Sequence, residues 1–109
     1  MNFVAPTPTA PVISSLQPLS STSVEIVWMK RYERDVVDSV TVEYLYQGPC
    51  SCSDLELWQW KNVSDITDNT TIFSNLQEHS IYLFKITANN PAGTSPPTKM
   101  NVTTLPAGN

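Results

Sequence analysis

The chain has 109 residues, 40% hydrophobic and 15% charged, enough apolar material for one self-sufficient core and too little charge for disorder of the whole. Ten acidic against six basic residues give a net charge of -4, which argues against nucleic acid as a partner, because neutralising phosphates needs a surplus of Lys and Arg. No run reaches the roughly 18 apolar residues of a membrane span, so direct membrane insertion of this segment is not expected.

In chain order, residues 1–10 are rich in Pro and Thr. They read as an extended linker, because proline fixes φ and removes a backbone donor. This opening lacks the charged start and apolar core of a secretion signal and is expected of a piece of something longer. Short runs at 12–16, 24–28, 40–46, 57–63, 70–76, 82–88 and 100–105 carry β-branched and aromatic residues between Pro, Gly, Asn or Asp. In three of them the apolar residues alternate: Val24, Ile26, Trp28; Val40, Val42, Tyr44, Tyr46; and Tyr82, Phe84, Ile86, Ala88. A period of two puts each set on one face of a strand, with Glu25, Thr41, Glu43, Lys85, Thr87 and Asn89 on the other. Val27, Leu45 and Leu83 break the alternation and are expected to be covered by neighbours. No segment has a capped helical repeat, so the pattern predicts an all-β domain over residues 11–106, two antiparallel sheets packed face to face, with an exit linker at 107–109.

These residues resemble a fibronectin type III domain over nearly all of 11–106. Trp28 closes a Val24-x-Ile26-x-Trp28 strand, and Val37-x-x-Val40-x-Val42-x-Tyr44 is similar to the family's third strand, with Val40 in place of the usual Tyr. Leu76 precedes Tyr82 at the family's spacing, and Tyr82-x-Phe84-x-Ile86-x-Ala88-x-Asn90-x-x-Gly93-x-Ser95 is close to its most characteristic stretch. The usual proline soon after the Trp is missing, and residues 29–34 stand there instead. The resemblance implies a seven-stranded antiparallel immunoglobulin-like β-sandwich with Trp28, Tyr44, Leu76, Tyr82 and Phe84 in the structural core. It also implies that Tyr82 forms a tyrosine corner and that Trp60 is the fourth-strand Trp.

Chemistry is sparse. His79 is the only histidine, and its neighbours Glu78 and Ser80 cannot readily align with it as nucleophile, base and orienter, so the chain is read as no enzyme. Gly48, Gly93 and Gly108 are scattered and form no phosphate loop, and no cofactor or metal is expected. Cys50 and Cys52 sit in a turn-rich stretch where a disulfide between them and free or intermolecular thiols are both open. Asn62, Asn69 and Asn101 each begin an N-glycosylation sequon. Lys30, Arg31 and Arg34 form the only basic cluster, in a mixed-charge loop. With Asn90 and an exposed Trp58, which shares a predicted strand face with Trp60, they are the candidate partner contacts. Residues 89–97 carry no Arg-Gly-Asp.

The resemblance further implies a non-catalytic extracellular module of a larger cell-surface or secreted protein, a receptor or adhesion protein whose other domains could include a phosphatase or kinase. It would act as a spacer and protein-interaction domain, monomeric in isolation, with a protein or neighbouring domains of the same chain as partners. The alternatives are an intracellular structural module of a giant muscle protein and an accessory module of a secreted glycan-degrading enzyme.

Overall fold

In the computed structural model, which describes residues 6–49 and 58–107, strands form where alternating apolar residues can pair. They are β1 (Val12–Pro18), β2 (Val24–Met29), β3 (Ser39–Gly48), β4 (Lys61–Ile66), β5 (Thr70–Phe73), β6 (Ile81–Asn90), β7 (Gly93–Thr94) and β8 (Thr98–Thr103). One antiparallel sheet runs β1-β2-β5; the other runs β4-β3-β6, with β7 and β8 following one another along β6. The two sheets form an immunoglobulin-like sandwich. Seven strands match the predicted set, and β7 is a two-residue addition made where the chain turns back on β6 at Asn90 and Gly93.

The inner faces are the alternating sets. Val24, Ile26, Val42, Phe84 and Ile86 are wholly buried, and Trp28, Val40, Tyr46, Phe73, Leu76, Tyr82 and Val102 nearly so. Burial of each such side chain stabilises the fold by about 1.5–3 kcal/mol. The aromatic residues interlock across the two sheets. Tyr44, half-buried, stacks on Phe84 at 5.4 Å and meets the edge of Phe73 at 5.0 Å, offset and edge-on arrangements that the ring quadrupole favours. Leu45 and Leu83, which break the alternation, face each other across β3 and β6, so each half-covers the other.

Several predicted boundaries shift, and in four strands the shift has a local reason. β1 runs on to Pro18 through a bulge between Ile13 and Ser15. The fourth strand begins at Lys61 instead of residue 57, with Trp58 in a turn, and extends to Ile66 through Asp65 at φ 59°, where the pairing with β3 shifts register. β5 stops at Phe73 because Asn75 takes the left-handed conformation and the Leu76 N–H turns aside to the Thr22 carbonyl. β8 ends at Thr103 because Thr104 is buried and used as a lock: its N–H donates to Ser80 O, and its Oγ1 accepts the Ser80 N–H while bonding Gln77 O.

The chain enters the domain at one end of the sandwich and leaves at the other. Pro6 lies beside Val36 and Asn90, whereas Leu105 pairs with His79 and Ser20. The chain as a whole is elongated, 60 × 27 × 17 Å.

Candidate functional site

At the entry end three segments meet: residues 6–11, the β2–β3 loop and the β6–β7 turn. Asn90 joins them. Its Nδ2 donates to Pro6 O at 2.8 Å and to Val36 O at 2.9 Å, while its Oδ1 accepts the N–H groups of Ala92 and Gly93 at 2.8 and 3.2 Å. The amide orientation is set by this network, since the reverse would put oxygen against two carbonyls. Asn90 was expected to meet a partner. It is instead buried and engaged on both ends of its amide, so it organises the loops from within.

The opening residues are correspondingly less solvated than a Pro/Thr linker predicts. Pro8 and Pro11 are buried, Thr9 donates to the Asp35 carboxylate, Arg31 Nε donates to Ala10 O at 3.2 Å, and Thr98 donates to Pro11 O. Gly93 is required here. Its φ of 145° disfavours any Cβ, and one placed there would lie 3.0 Å from the Thr7 methyl.

The β2–β3 loop that departs from the family pattern is ordered by local bonds. Asp35 N–H donates to Tyr32 O at 3.0 Å, the Asp35 carboxylate accepts Tyr32 N–H, Lys30 Nζ reaches Asp35 O at 3.3 Å, and Asp38 N–H ties the loop to Asn89 O at 2.8 Å. Arg34 lies over the Tyr32 ring at 5.8 Å. Lys30, Arg31 and Arg34 are all exposed, as are Tyr32 and Val36. Beside them a cleft of about 240 Å³ opens between the sheets, floored by Trp28 and Ala88 and rimmed by Lys30, Asp38 and Asp68. That is below the roughly 300–1,000 Å³ of ordinary small-molecule sites.

Trp58 is not part of this surface. It sits at the opposite end, 41% exposed, with its ring edge-on to Tyr46 at 4.9 Å. It does not share a strand face with Trp60, because both precede β4. Trp60, expected on the fourth strand, lies outside the core, with the Lys85 ammonium 4.6 Å from its ring and Lys85 paired to Glu43 at 3.6 Å. A cation held between a π-face and a carboxylate explains why this Trp can remain on the outer surface.

At the exit end Tyr82 Oη accepts the Gln77 N–H at 2.7 Å, and its ring is buried among Tyr44 and Tyr46. Burial raises the Tyr82 pKa; the Gln77 bond opposes this, and Tyr46 and Tyr44 add to it. Burial also raises that of Tyr44. His79 occupies the nearby turn at φ 45°, and the Ser80 hydroxyl donates to Glu78 O at 2.7 Å, so serine and histidine are not arranged as nucleophile and base. Among the described residues no cluster of His, Cys, Asp and Glu has metal-ligand geometry. Cys50 and Cys52 lie outside the described residues.

The sequon side chains are all exposed: Asn62 on β4, Asn69 in the β4–β5 connection, where its carbonyl accepts Trp28 N–H, and Asn101 on β8.

The sequence model for the fibronectin type III domain matches residues 7–104. Among curated proteins none matches the chain. The FN5 domain of Drosophila Lar superposes with a TM-score of 0.70 at 17% identity, covering 94% of this chain and all of that one. The third fibronectin III domain of human KIAA0343 protein does so at 0.73 and 16%, covering 99% and 92%. Chicken CNTN1 FN1–FN3 gives 0.65 and 25%, with 93% of this chain spanning 33% of that three-domain structure.

Proposed function

Because the chain belongs to the fibronectin type III family, we propose that it is a non-catalytic extracellular module of a larger receptor or adhesion protein, one of several in tandem, that spaces and presents binding surfaces. The observation that carries this is the path of the chain. It enters at the Asn90 end, with the incoming segment bonded to the β2–β3 loop and the β6–β7 turn, and leaves at the Thr104 end. A sandwich with opposite termini and a docked incoming segment passes orientation from one module to the next, where a free linker would not. The three-domain arrangement of chicken CNTN1 FN1–FN3 is consistent with serial use of such units.

In this reading the first partner of the entry end is the preceding domain of the same chain. Exposed Lys30, Arg31, Arg34, Tyr32 and Val36 combine charge with aromatic and aliphatic area, a composition suited to a moderately polar interdomain contact. Trp58, at the other end, is available to a separate contact. The three exposed sequons support passage through the secretory route.

The test is antibody binding to this domain on cells that express the natural parent, before and after permeabilisation. Equal staining of intact cells supports the proposal; staining that appears only after permeabilisation overturns it in favour of an intracellular module.

A further inference from the structure

Edge strands expose unpaired N–H and C=O groups that can template pairing with another chain, and soluble proteins guard them. The four edges of this sandwich are guarded unequally. β1 is flanked by Pro11, ends at Pro18 and is broken by a bulge, and the start of β8 is tied to β1 through Thr98 and the Pro11 carbonyl. β4 has no proline or bulge along its first half, where Lys61 at its start is the one guarding charge. It pairs with β3 alone among the described residues, and Lys61, Asn62, Val63 and Ser64 are all exposed. Val63 faces the same side as Val42, yet is 43% exposed, because the three-stranded sheet does not cover it.

We infer that β4 is the edge through which the bare chain pairs with a second copy of itself, and that an N-linked glycan on Asn62 keeps that edge closed. The occupant follows from the sequence of the strand. Antiparallel pairing about a two-fold axis at Val63 puts Val63 against its own copy and Asn62 against Ser64, so apolar and polar residues meet in kind. Asp65, at φ 59°, limits the flat run to residues 61–64, which makes the pairing weak and a single guard sufficient.

Asn62 is well placed to be that guard. It lies opposite Glu43, on the outer face, and its side chain is exposed next to Val63. Glycosylation draws on a lipid-diphosphate oligosaccharide. Asn62 Nδ2 forms the bond to the anomeric carbon and loses one proton, the carbon–oxygen bond to the diphosphate breaks, and the lipid diphosphate leaves. A glycan there would stand where the second copy's Ser64 has to come within about 5 Å. The same logic extends to the other edges: Asn69 immediately precedes β5 and its exposed Ile72, and Asn101 follows exposed Met100 on β8.

This inference rests on the extracellular reading, and its test separates the two. The whole chain is made in bacteria, where Asn62 stays bare, and is also secreted from eukaryotic cells. Both forms are compared by sedimentation equilibrium in reductant, which removes any cystine-linked pairs. The expected result is reversible dimerisation of the bare chain, at least about tenfold tighter than that of the secreted chain, with amide-exchange protection gained at residues 61–64. Val63→Lys should abolish dimerisation of the bare chain without changing its Tm, and Asn62→Gln in the secreted chain should restore it. A bare chain that is monomeric up to about 1 mM, a dimer indifferent to Val63→Lys, or a secreted chain with Asn62 bare would each overturn the inference. Glycan on Asn69 or Asn101 with Asn62 bare does so while leaving the extracellular reading intact.

Discussion

Asn90 carries a sharp prediction because its four bonds link segments that share no local sequence pattern. A net hydrogen bond contributes about 0.5–1.5 kcal/mol, and at this end of the sandwich water can replace part of what is lost. Asn90→Ala should therefore cost about 2 kcal/mol, lowering Tm by roughly 8–16 °C for a domain of this size. Asn90→Asp is nearly isosteric but should cost more, about 3–4 kcal/mol at pH 7, because a carboxylate oxygen then stands where Nδ2 was, near the carbonyls of Pro6 and Val36. The carbonyl oxygens of Pro6 and Val36 disfavour ionisation more than the Ala92 and Gly93 N–H groups, still bonded to the other oxygen, favour it, so the folded pKa lies above the unfolded one. The penalty is full above the folded pKa and is relieved as pH falls through it, because the protonated acid regains a donor. Urea unfolding of both variants between pH 7 and pH 4 reads this directly. If Asn90→Asp is no worse than Asn90→Ala, or if both lie within about 0.5 kcal/mol of the parent, the clamp does not hold this end together.

Phe84→Ala, removing a wholly buried ring that touches both Tyr44 and Phe73, should cost about 3–5 kcal/mol in the same assay and leave little folded protein if total stability is at the low end. Gly93→Ala should cost about 1–2 kcal/mol through its φ of 145° and its approach to the Thr7 methyl, and Thr7→Ser, which removes that methyl, should restore part of that loss. Burial holds the Tyr44 and Tyr82 protons more tightly in the folded state than at the ordinary value of 10.0, so their contribution is full below that pH and is lost as pH rises above it. Denaturant midpoints followed from pH 9 to 11 should fall, and Tyr82→Phe should shallow that fall while costing about 1 kcal/mol at neutral pH through the lost Gln77 bond.

What the sequence made legible is what depends on local periodicity. β2, β3 and β6 are readable because their inner residues alternate without interruption, and the spacing of Leu76, Tyr82 and Phe84 carries the family resemblance. What it hid depends on contacts between distant segments. The bond from Asn90 to Pro6 spans 84 positions, so nothing near Asn90 distinguishes a buried clamp from an exposed loop residue. Trp60 misleads for a related reason: a Trp within a predicted strand suggests core, but Lys85, on the outer face of the same sheet, gives its ring a partner outside. The start of β4 was obscured because Trp58 has the composition of a strand residue but folds in a turn against Tyr46. The edges, by contrast, become visible only once strand order is known, and it is strand order that places Asn62 and Asn101 on edge strands and Asn69 just before a third.

The extracellular reading is tested most directly by mass analysis of the natural protein, with thiols blocked before digestion and the three sequon peptides resolved. The account predicts glycan on at least one of Asn62, Asn69 and Asn101, with no blocked thiol at Cys50 or Cys52. All three asparagines bare, with both cysteines blocked as free thiols, would contradict it.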